Sequence, residues 1–447
     1  MSIKQKKIVI IGGGFAGINL VKQLKGCMAY KVILVDKNNY NFFPPLLYQV
    51  ATGFLETSNI SYPFRKLFSQ AGNLRFRMGA FIRVDTEEKA VYLSSGKLSY
   101  DYLVFATGTV TNFFGMKNVM QYALPMKTMD DALQMRNTLL ERLELATITR
   151  DPEERRRLLT IVVAGGGSTG VEIPGMMAEQ KKTLIQNEYP ELVGTQGSIV
   201  LVNGAGELLS PMSKKSQEYT YASLANLGVE IVLHTRVKDF DGEKVLLSGV
   251  EDRLIEARTL IWATGVTAQV HEGIPAEAYG PGKRLLVDEY QKVLKVDGVY
   301  AIGDTCLQQH EEAYPEGHPQ LAQVAIQQGE NLAKNFKRLH KNKEMEPFAY
   351  VDKGTMAIIG RNKAVAELAK PKLFFKGFIA WFMWLFVHLM SLTNHRNRIK
   401  TLYNWTVAYF TKDQSLRLII RPLIKNNLLY QMPDPAEKED ARTADEP

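Results

Sequence analysis

Residues 8–17 read Ile8-Val9-Ile10-Ile11-Gly12-Gly13-Gly14-Phe15-Ala16-Gly17, an apolar run that stops in a glycine loop of the form G-x-G-x-x-G. Four β-branched residues in a row have the composition of a buried parallel strand, and Ala16, Ile18, Leu20, Val21 and Leu24 behind the loop follow helical spacing. In such a unit Gly12 permits the tight turn, Gly14 lets a pyrophosphate approach the backbone, and Gly17 allows close packing of helix on strand. The unpaired N–H groups at the helix N-terminus then face the phosphates. Asp36 lies 19 residues past Gly17 and ends a second apolar strand over 31–35, where a carboxylate can accept from ribose hydroxyls. A glycine loop alone is as readily a structural turn; strand, helix and acid together make it a nucleotide site. The same apolar stretch follows Lys4, Lys6 and Lys7 but is too short for the core of a signal peptide.

The plan then repeats. Residues 159–164 are apolar, Gly165-Gly166-Gly167-Ser168-Thr169-Gly170 is the glycine turn, a helical pattern follows, and 198–202 is the next strand. Phe105-Ala106-Thr107-Gly108 is echoed by Trp262-Ala263-Thr264-Gly265. The expected fold class is therefore α/β, with two Rossmann-like dinucleotide-binding domains and a C-terminal helical segment. Gly12, Gly14, Gly17, Asp36, Thr107 and Gly108 belong to the first site, and Gly165, Gly167, Gly170, Thr264 and Gly265 to the second. At the second ribose position stands Asn203, an amide that can bond a hydroxyl but does not repel a 2′-phosphate. NADH is expected there, with NADPH use left open; Lys214 and Lys215 could meet a phosphate but better fit a solvated helix face. Two nucleotide domains in one chain point to a flavin in one and a nicotinamide in the other, because hydride transfer needs both rings stacked. Gly303-Asp304 at the end of a late strand puts FAD in the first, the carboxylate accepting from ribityl hydroxyls. The domains expected are FAD-binding at 1–115 and 276–335, NADH-binding at 116–275 with a leading helix, and membrane-anchoring at 336–430. An acidic, Pro-containing tail at 431–447 is expected to be disordered.

The 447-residue chain is 45% hydrophobic and 23% charged, which argues against a disordered, fibrous or polytopic membrane protein. Its two cysteines, Cys27 and Cys306, exclude a disulfide scaffold, a Cys-based zinc site and an iron–sulfur cluster, and the seven histidines show no metal spacing, so no metal is expected. Asp239-Phe240-Asp241-Gly242 resembles part of a calcium loop but lacks the rest of the ligand pattern and reads as a hairpin turn. The net charge of +8 is unevenly spread: residues 361–430 hold twelve Lys/Arg against two acids, while 1–360 are nearly neutral at +2. A basic segment on a neutral body suits an anionic surface.

These residues closely resemble the type II NADH:quinone oxidoreductases, flavoproteins of the membrane surface. The bearers are Phe43-Pro44-Pro45-Leu46-Leu47-Tyr48-Gln49-Val50-Ala51-Thr52-Gly53, the second glycine loop with Val171-Glu172, Trp262–Gly265 and Ala301-Ile302-Gly303-Asp304. Ala322-Gln323-Val324-Ala325-Ile326-Gln327-Gln328-Gly329, residues 394–399 and Asn404-Trp405 add to it. The resemblance implies electron transfer from NADH through FAD to a membrane quinone, ubiquinone or menaquinone, without proton pumping. It also implies that Gln323 and Gln327 face the quinone side of the flavin, where their i, i+4 spacing lets both amides bond a carbonyl. Glu172 would lie near the flavin and influence nicotinamide or quinone chemistry, and Lys376 near the quinone mouth. Set against these roles are exposed glutamines on a Gln-rich helix, an ordinary carboxylate in a helix's first turn, and a lysine that simply binds lipid. Disulfide reductases of this fold carry a redox Cys pair after the first nucleotide strand; here that region reads Phe42-Phe43-Pro44-Pro45.

Residues 378–390 are apolar apart from His388, with Trp381, Trp384 and His388 at helical spacing, and 402–410 form a second such segment around Trp405 and Tyr409. A membrane span needs roughly 20 residues. The run reaches that length only by including Lys376, so an interfacial helix is preferred over a single span. Its aromatics would sit in the acyl boundary and Lys370, Lys372, Lys376, Arg396, Arg398 and Lys400 at the headgroups. The alternative is a buried core helix or homodimer face, and both can hold at once. Nucleic-acid binding is not expected, because the cations flank an apolar wedge. The whole points to a peripheral enzyme on the cytoplasmic side of the cell membrane. The rivals are a soluble NAD(P)H-dependent flavoprotein reductase with a protein acceptor and a membrane-associated redox-sensing flavoprotein.

Overall fold

Strand Lys6–Ile11 offers water no polar face over its last four residues, and it sits at the centre of a five-stranded parallel sheet. The sheet runs in the order Val299–Ala301, Tyr102–Phe105, Lys6–Ile11, Tyr30–Asp36, Leu74–Met78. A second five-stranded parallel sheet runs Leu124–Pro125, Thr259–Trp262, Ile161–Ala164, Ile199–Val202, Val229–Val232. In both, the strand before the glycine loop is central, with the strand before the Thr-Gly pair beside it. Ile11 lies opposite Phe105 in one and Ala164 opposite Trp262 in the other. The first sheet takes its last strand from residues 299–301, after the second unit is complete. These observations come from a computed structural model that describes residues 5–250, 252–411 and 416–420; the acidic tail at 431–447 lies outside them.

The helices that frame the sites are, in chain order, α1 (Phe15–Leu24), α2 (Leu47–Ala51), α3 (Met129–Ile148), α4 (Ser168–Glu188), α5 (Lys214–Asn226), α6 (Ala322–His340), α7 (Gly377–Ser391) and α8 (His395–Thr411). A boundary at 336 would cut α6, which runs on to His340 with Lys337, Arg338 and His340 in its last turn, where cations suit the helix dipole. Asp239–Gly242 closes the hairpin of strands Arg236–Phe240 and Lys244–Ser248, its Asp241 carboxylate accepting from the backbone N–H groups of Glu243 and Lys244.

The C-terminal region is a three-stranded antiparallel sheet (Thr355–Gly360, Lys363–Leu368, Leu373–Lys376) followed by α7 and α8. At fifteen residues α7 is about 22 Å long, short of a hydrocarbon core of about 30 Å. Among the described residues no helix is long and apolar enough to cross a membrane. The aromatic pattern of α7 divides between two faces. Trp384 is fully buried between Tyr48 and Trp405, and His388 stacks on it at 3.8 Å, so these two do not sit in the acyl boundary as expected. Burial pushes the His388 imidazole down to about 4, leaving it neutral. The outward face is made instead by Phe378, Ile379, Phe382 and Phe386, each more than half exposed. The helix is at once core element and apolar surface.

Candidate active site

The two glycine loops obey one steric rule. Gly12 has φ +104° and Gly165 φ +117°, and a Cβ on either would lie 2.4 or 2.6 Å from the carbonyl oxygen of Ala106 or Ala263. A Cβ on Gly17 would meet the Gly12 oxygen at 1.9 Å, and one on Gly170 the Gly165 oxygen at 1.7 Å. Between them Gly14 and Gly167 face open space, with nothing within 4 Å of an added Cβ. Four glycines thus hold the backbone shape while the middle glycine of each loop keeps a cradle clear. A pyrophosphate at the N-terminus of α1 or α4 fits that arrangement twice over.

The two ribose positions also correspond. Gly13 N–H donates to Asp36 Oδ2 (2.7 Å), and Gly166 N–H to Asn203 Oδ1 (3.1 Å). Asp36 also accepts from Asn38 N–H; burial nevertheless pushes its carboxyl up, against the pull of these two donors. The Asn203 amide nitrogen is engaged too, donating to the Glu207 carbonyl at 2.8 Å. Asp304 accepts from the Thr109 hydroxyl at 3.4 Å, which in turn accepts from Lys127 Nζ at 2.7 Å. Burial raises the Asp304 carboxyl while Lys127 and Arg284 nearby pull it down. Gly303, at φ +73°, would bring a Cβ within 3.1 Å of Ala16 in the first turn of α1, so Asp304 stands beside the first cradle. Thr107 Oγ1 lies 3.0 Å from His271 Nε2, and Gly108 next to it faces open space. In the second unit Gly265 has φ +74° and is overhung by the Phe114 ring, with Thr264 beside it.

Glu172 lies in the first turns of α4 and is buried; burial holds its carboxyl well above the usual carboxylate range, against a smaller pull from Ile358 N–H. The approach of strand Thr355–Gly360 to α4 depends on Gly175, where a Cβ would stand 1.8 Å from the Ile359 carbonyl. Glu172 lines a cavity of about 1030 Å³ whose wall also carries Tyr48, Gln49 and, from the exposed face of α7, Phe378, Phe382 and Phe386. A polar chain crosses this apolar region: Trp405 Nε1 donates to Gln49 Oε1 (2.8 Å), and Gln49 Nε2 donates to the Tyr48 hydroxyl (3.0 Å). The Tyr48 phenol is pushed well up, chiefly by burial.

Gln323 and Gln327 do share one face of α6, but both amides pair with backbone. Gln323 bonds the Gly354 carbonyl and Lys353 N–H at 3.1 Å each; Gln327 bonds the carbonyl and N–H of Val351 at 2.9 and 3.0 Å. Neither lines the large cavity, nor does Lys376. The last strand of the C-terminal sheet carries Lys376 to α5, where its ammonium sits 5.5 Å from the centre of the Tyr219 ring. Among the described residues it has no carboxylate within ion-pair distance. Gln328, which in sequence only adds to the Gln-rich character of the helix, is buried and accepts from Gly303 N–H at 2.7 Å. Cys306 is buried with its thiol pushed up to about 11 by burial, unsuited to thiol redox chemistry.

The pyridine nucleotide-disulphide oxidoreductase family matches residues 6–329, and the NDH2 C-terminal domain matches residues 353–413. A type II NADH:quinone oxidoreductase of Mycobacterium tuberculosis is 33% identical over 91% of this chain and 89% of its own length. A second from that organism is 31% identical over 95% and 92%. The chain belongs to the type II NADH:quinone oxidoreductase family. A solved NDH2 structure from Plasmodium falciparum in complex with NADH superposes with TM-score 0.85 at 24% identity, covering 94% of this chain and all of that one. A sulfide:quinone oxidoreductase from Aquifex aeolicus reaches 0.69 at 18% identity over 93% and 96%, a likeness of fold alone. Family members of this kind bind FAD and NADH, and both cradles here have the room and donors for them.

Sequence reasoning assigned no role to Tyr48, Gln49, Lys127, Thr109, His271 or Gln328. Tyr48 and Gln49 follow Pro44-Pro45, which seats them at the start of α2, but nothing local says that they face a cavity whose other walls come mostly from Glu172 onward. Lys127 carried a signal: a lysine just before the N-cap of α3 opposes the helix dipole.

Proposed function

We propose that this chain oxidises NADH held by the second cradle, passes two electrons through FAD held by the first, and reduces a membrane quinone, ubiquinone or menaquinone, without pumping protons. FAD supplies the two-electron relay between nicotinamide and quinone. The residues do the rest. Asp36 and Asp304 accept from sugar hydroxyls, the open glycines admit the pyrophosphates, and Glu172, whose carboxyl burial pushes toward the proton-bearing form, is the proton donor beside the acceptor cavity. Gln323 and Gln327 hold residues 351–354 against α6 on the acceptor side, as positioning residues that release a carbonyl partner only if that segment moves. Lys376 is assigned to lipid headgroups.

The observation that carries the proposal is the cavity itself, whose wall joins a buried carboxyl to the exposed phenylalanines of α7. A quinone dissolved in lipid needs that continuity. Each phenylalanine fully removed from water contributes about 1.5–3 kcal/mol, so the outward face of α7 suffices for peripheral docking once the flanking cations add attraction to anionic lipid. The cytoplasmic face is favoured by the basic character of 361–430. The other occupant of such a face is a second copy of the chain, and vesicle flotation at several protein concentrations separates the two. The decisive experiment is NADH and NADPH oxidation in anionic liposomes containing ubiquinone or menaquinone. Quinone-dependent turnover is expected. Its absence, with flavin reduction by NADH intact, would favour a reductase with a protein acceptor.

A further inference from the structure

Lys127 belongs by sequence to the second nucleotide unit, following strand Leu124–Pro125 of that sheet, yet its side chain ends in the first. Its ammonium donates to the Thr109 hydroxyl at 2.7 Å, and that hydroxyl donates to Asp304 at 3.4 Å. The backbone is fixed independently: Asp131 Oδ2 accepts from the N–H groups of both Lys127 and Thr128, at 2.9 and 2.8 Å, and Thr128 Oγ1 accepts from Asp131 N–H. This capping box fixes the backbone of Lys127 at the start of α3. The placement is not explained by the helix, because a cation at a helix N-terminus is disfavoured by the dipole. Nor is it explained by an ion pair, for among the described residues no carboxylate lies within 4.0 Å of its nitrogen. Burial lowers the lysine's affinity for its proton while Asp304 restores part of it. Gly108, next to Thr109 in the chain, and Gly14 of the first cradle both face open space.

We propose that Lys127 is the fixed cation of the FAD cradle, supplied across the domain boundary, and that it raises the reduction potential of the bound flavin. The assignment rests on the reading that the first unit holds FAD. A hydride brings two electrons and one proton, hence one net negative charge, to the group that receives it. A fixed positive charge close by stabilises the charged form over the neutral one. The capping box fixes the Lys127 backbone, and the bond to Thr109, itself bonded to Asp304, aims the ammonium. Because Lys127 is rigid with α3, any shift of the nucleotide-binding unit moves this charge relative to the flavin.

The test is a redox titration of the flavin absorption in the full-length protein and in Lys127→Met, Lys127→Arg and Thr109→Val. Lys127→Met should lower the midpoint potential clearly, Lys127→Arg should stay near the parent, and Thr109→Val should fall between them. An unchanged potential in Lys127→Met overturns the proposal, as does an equal fall in Lys127→Arg, which would mean that shape matters and charge does not. If Lys127→Met binds no flavin, Thr109→Val decides, with an unshifted potential counting against the proposal. A parent protein without a flavin spectrum would instead sink the FAD reading itself.

Discussion

Gly167 and Gly170 stand three residues apart in one loop, and the structure assigns them opposite roles that alanine substitution separates. In Gly170→Ala the methyl would sit 1.7 Å from the Gly165 oxygen and 2.7 Å from its carbon, where ordinary contact begins at 3.4 Å, so the loop must move by about 1.7 Å. Overpacking of this kind costs about 1–3 kcal/mol, and a backbone carbonyl cannot swing aside as a side chain does, which places the cost at the upper end. Alanine recovers about 1 kcal/mol as a better helix former, leaving a net loss of about 2 kcal/mol. For a domain of 150–250 residues that is a fall in Tm of roughly 4–8 °C. Gly167 is different. Its φ of −77° and ψ of −175° suit any residue, and nothing lies within 4 Å of its added methyl. Alanine there should leave stability unchanged or raise it by about 0.4–1 kcal/mol through the unfolded chain. The methyl would stand where the NADH pyrophosphate must approach, and a tenfold weaker affinity corresponds to about 1.4 kcal/mol. Thermal unfolding of the FAD-loaded variants reads the first effect, and the NADH concentration dependence of flavin bleaching in stopped flow reads the second. Wild-type NADH affinity in Gly167→Ala, or equal Tm losses in both variants, would refute the assignment of that open space to the cofactor.

Asn203→Asp should keep the contact to Gly166 N–H, lose the donor to the Glu207 carbonyl, and lower the ratio of NADPH to NADH turnover, because a carboxylate repels a 2′-phosphate; an unchanged ratio places Asn203 away from the ribose. Glu172 has its folded value raised, so the unfolded chain loses this proton from about pH 4.5 while the folded chain keeps it. Stability should therefore decline as pH rises from about 4.5 through the folded value, and Glu172→Gln should flatten that slope in Tm measured against pH. Trp405→Phe removes the donor to Gln49 Oε1 and should cost about 1 kcal/mol. It should slow quinone reduction more than flavin reduction by NADH, and equal slowing of both steps would dissociate the Trp405–Gln49–Tyr48 chain from the acceptor side.

How much of this was legible in sequence depended on how local each signal was. The glycine loops, their strands and the late Gly303-Asp304 are contiguous, and each carries its own steric requirement, so both nucleotide units could be read from spacing. The C-terminal helices were legible as apolar and basic, but their facing was not. Trp384 and Phe382 look alike in a composition of aromatics, and only the strand Lys363–Leu368 and α8 decide that one is core and the other surface. Gln323 and Gln327 were correctly placed on one helical face, yet what that face meets is backbone at 351–354, a loop with no motif. Lys376, expected near the quinone mouth, takes its direction from the strand that leads into α7, and that strand ends against α5, a contact no local pattern announces.

The acceptor side was hardest to read because its framework is a helix that looks unremarkable in hydropathy. Glu172, Met176, Glu179, Gln180 and Thr183 line the large cavity, and their spacing of i, i+4, i+7, i+8, i+11 puts them on one face of α4. A cavity that receives a polar carbonyl head needs such a mixed wall, so no apolar stripe marks it. Gly167 caps the N-terminus of the same helix, and its open space faces the second cradle. One helix therefore presents its N-terminus to the dinucleotide and, beginning less than two turns later, its side to the acceptor cavity. The distance between the two events is fixed by helix geometry at 1.5 Å per residue, not by a loop. That is why Gly170 must be glycine to seat the helix and Gly175 must be glycine to admit strand Thr355–Gly360 beside Glu172: the two close approaches hold α4 in place at both of its tasks.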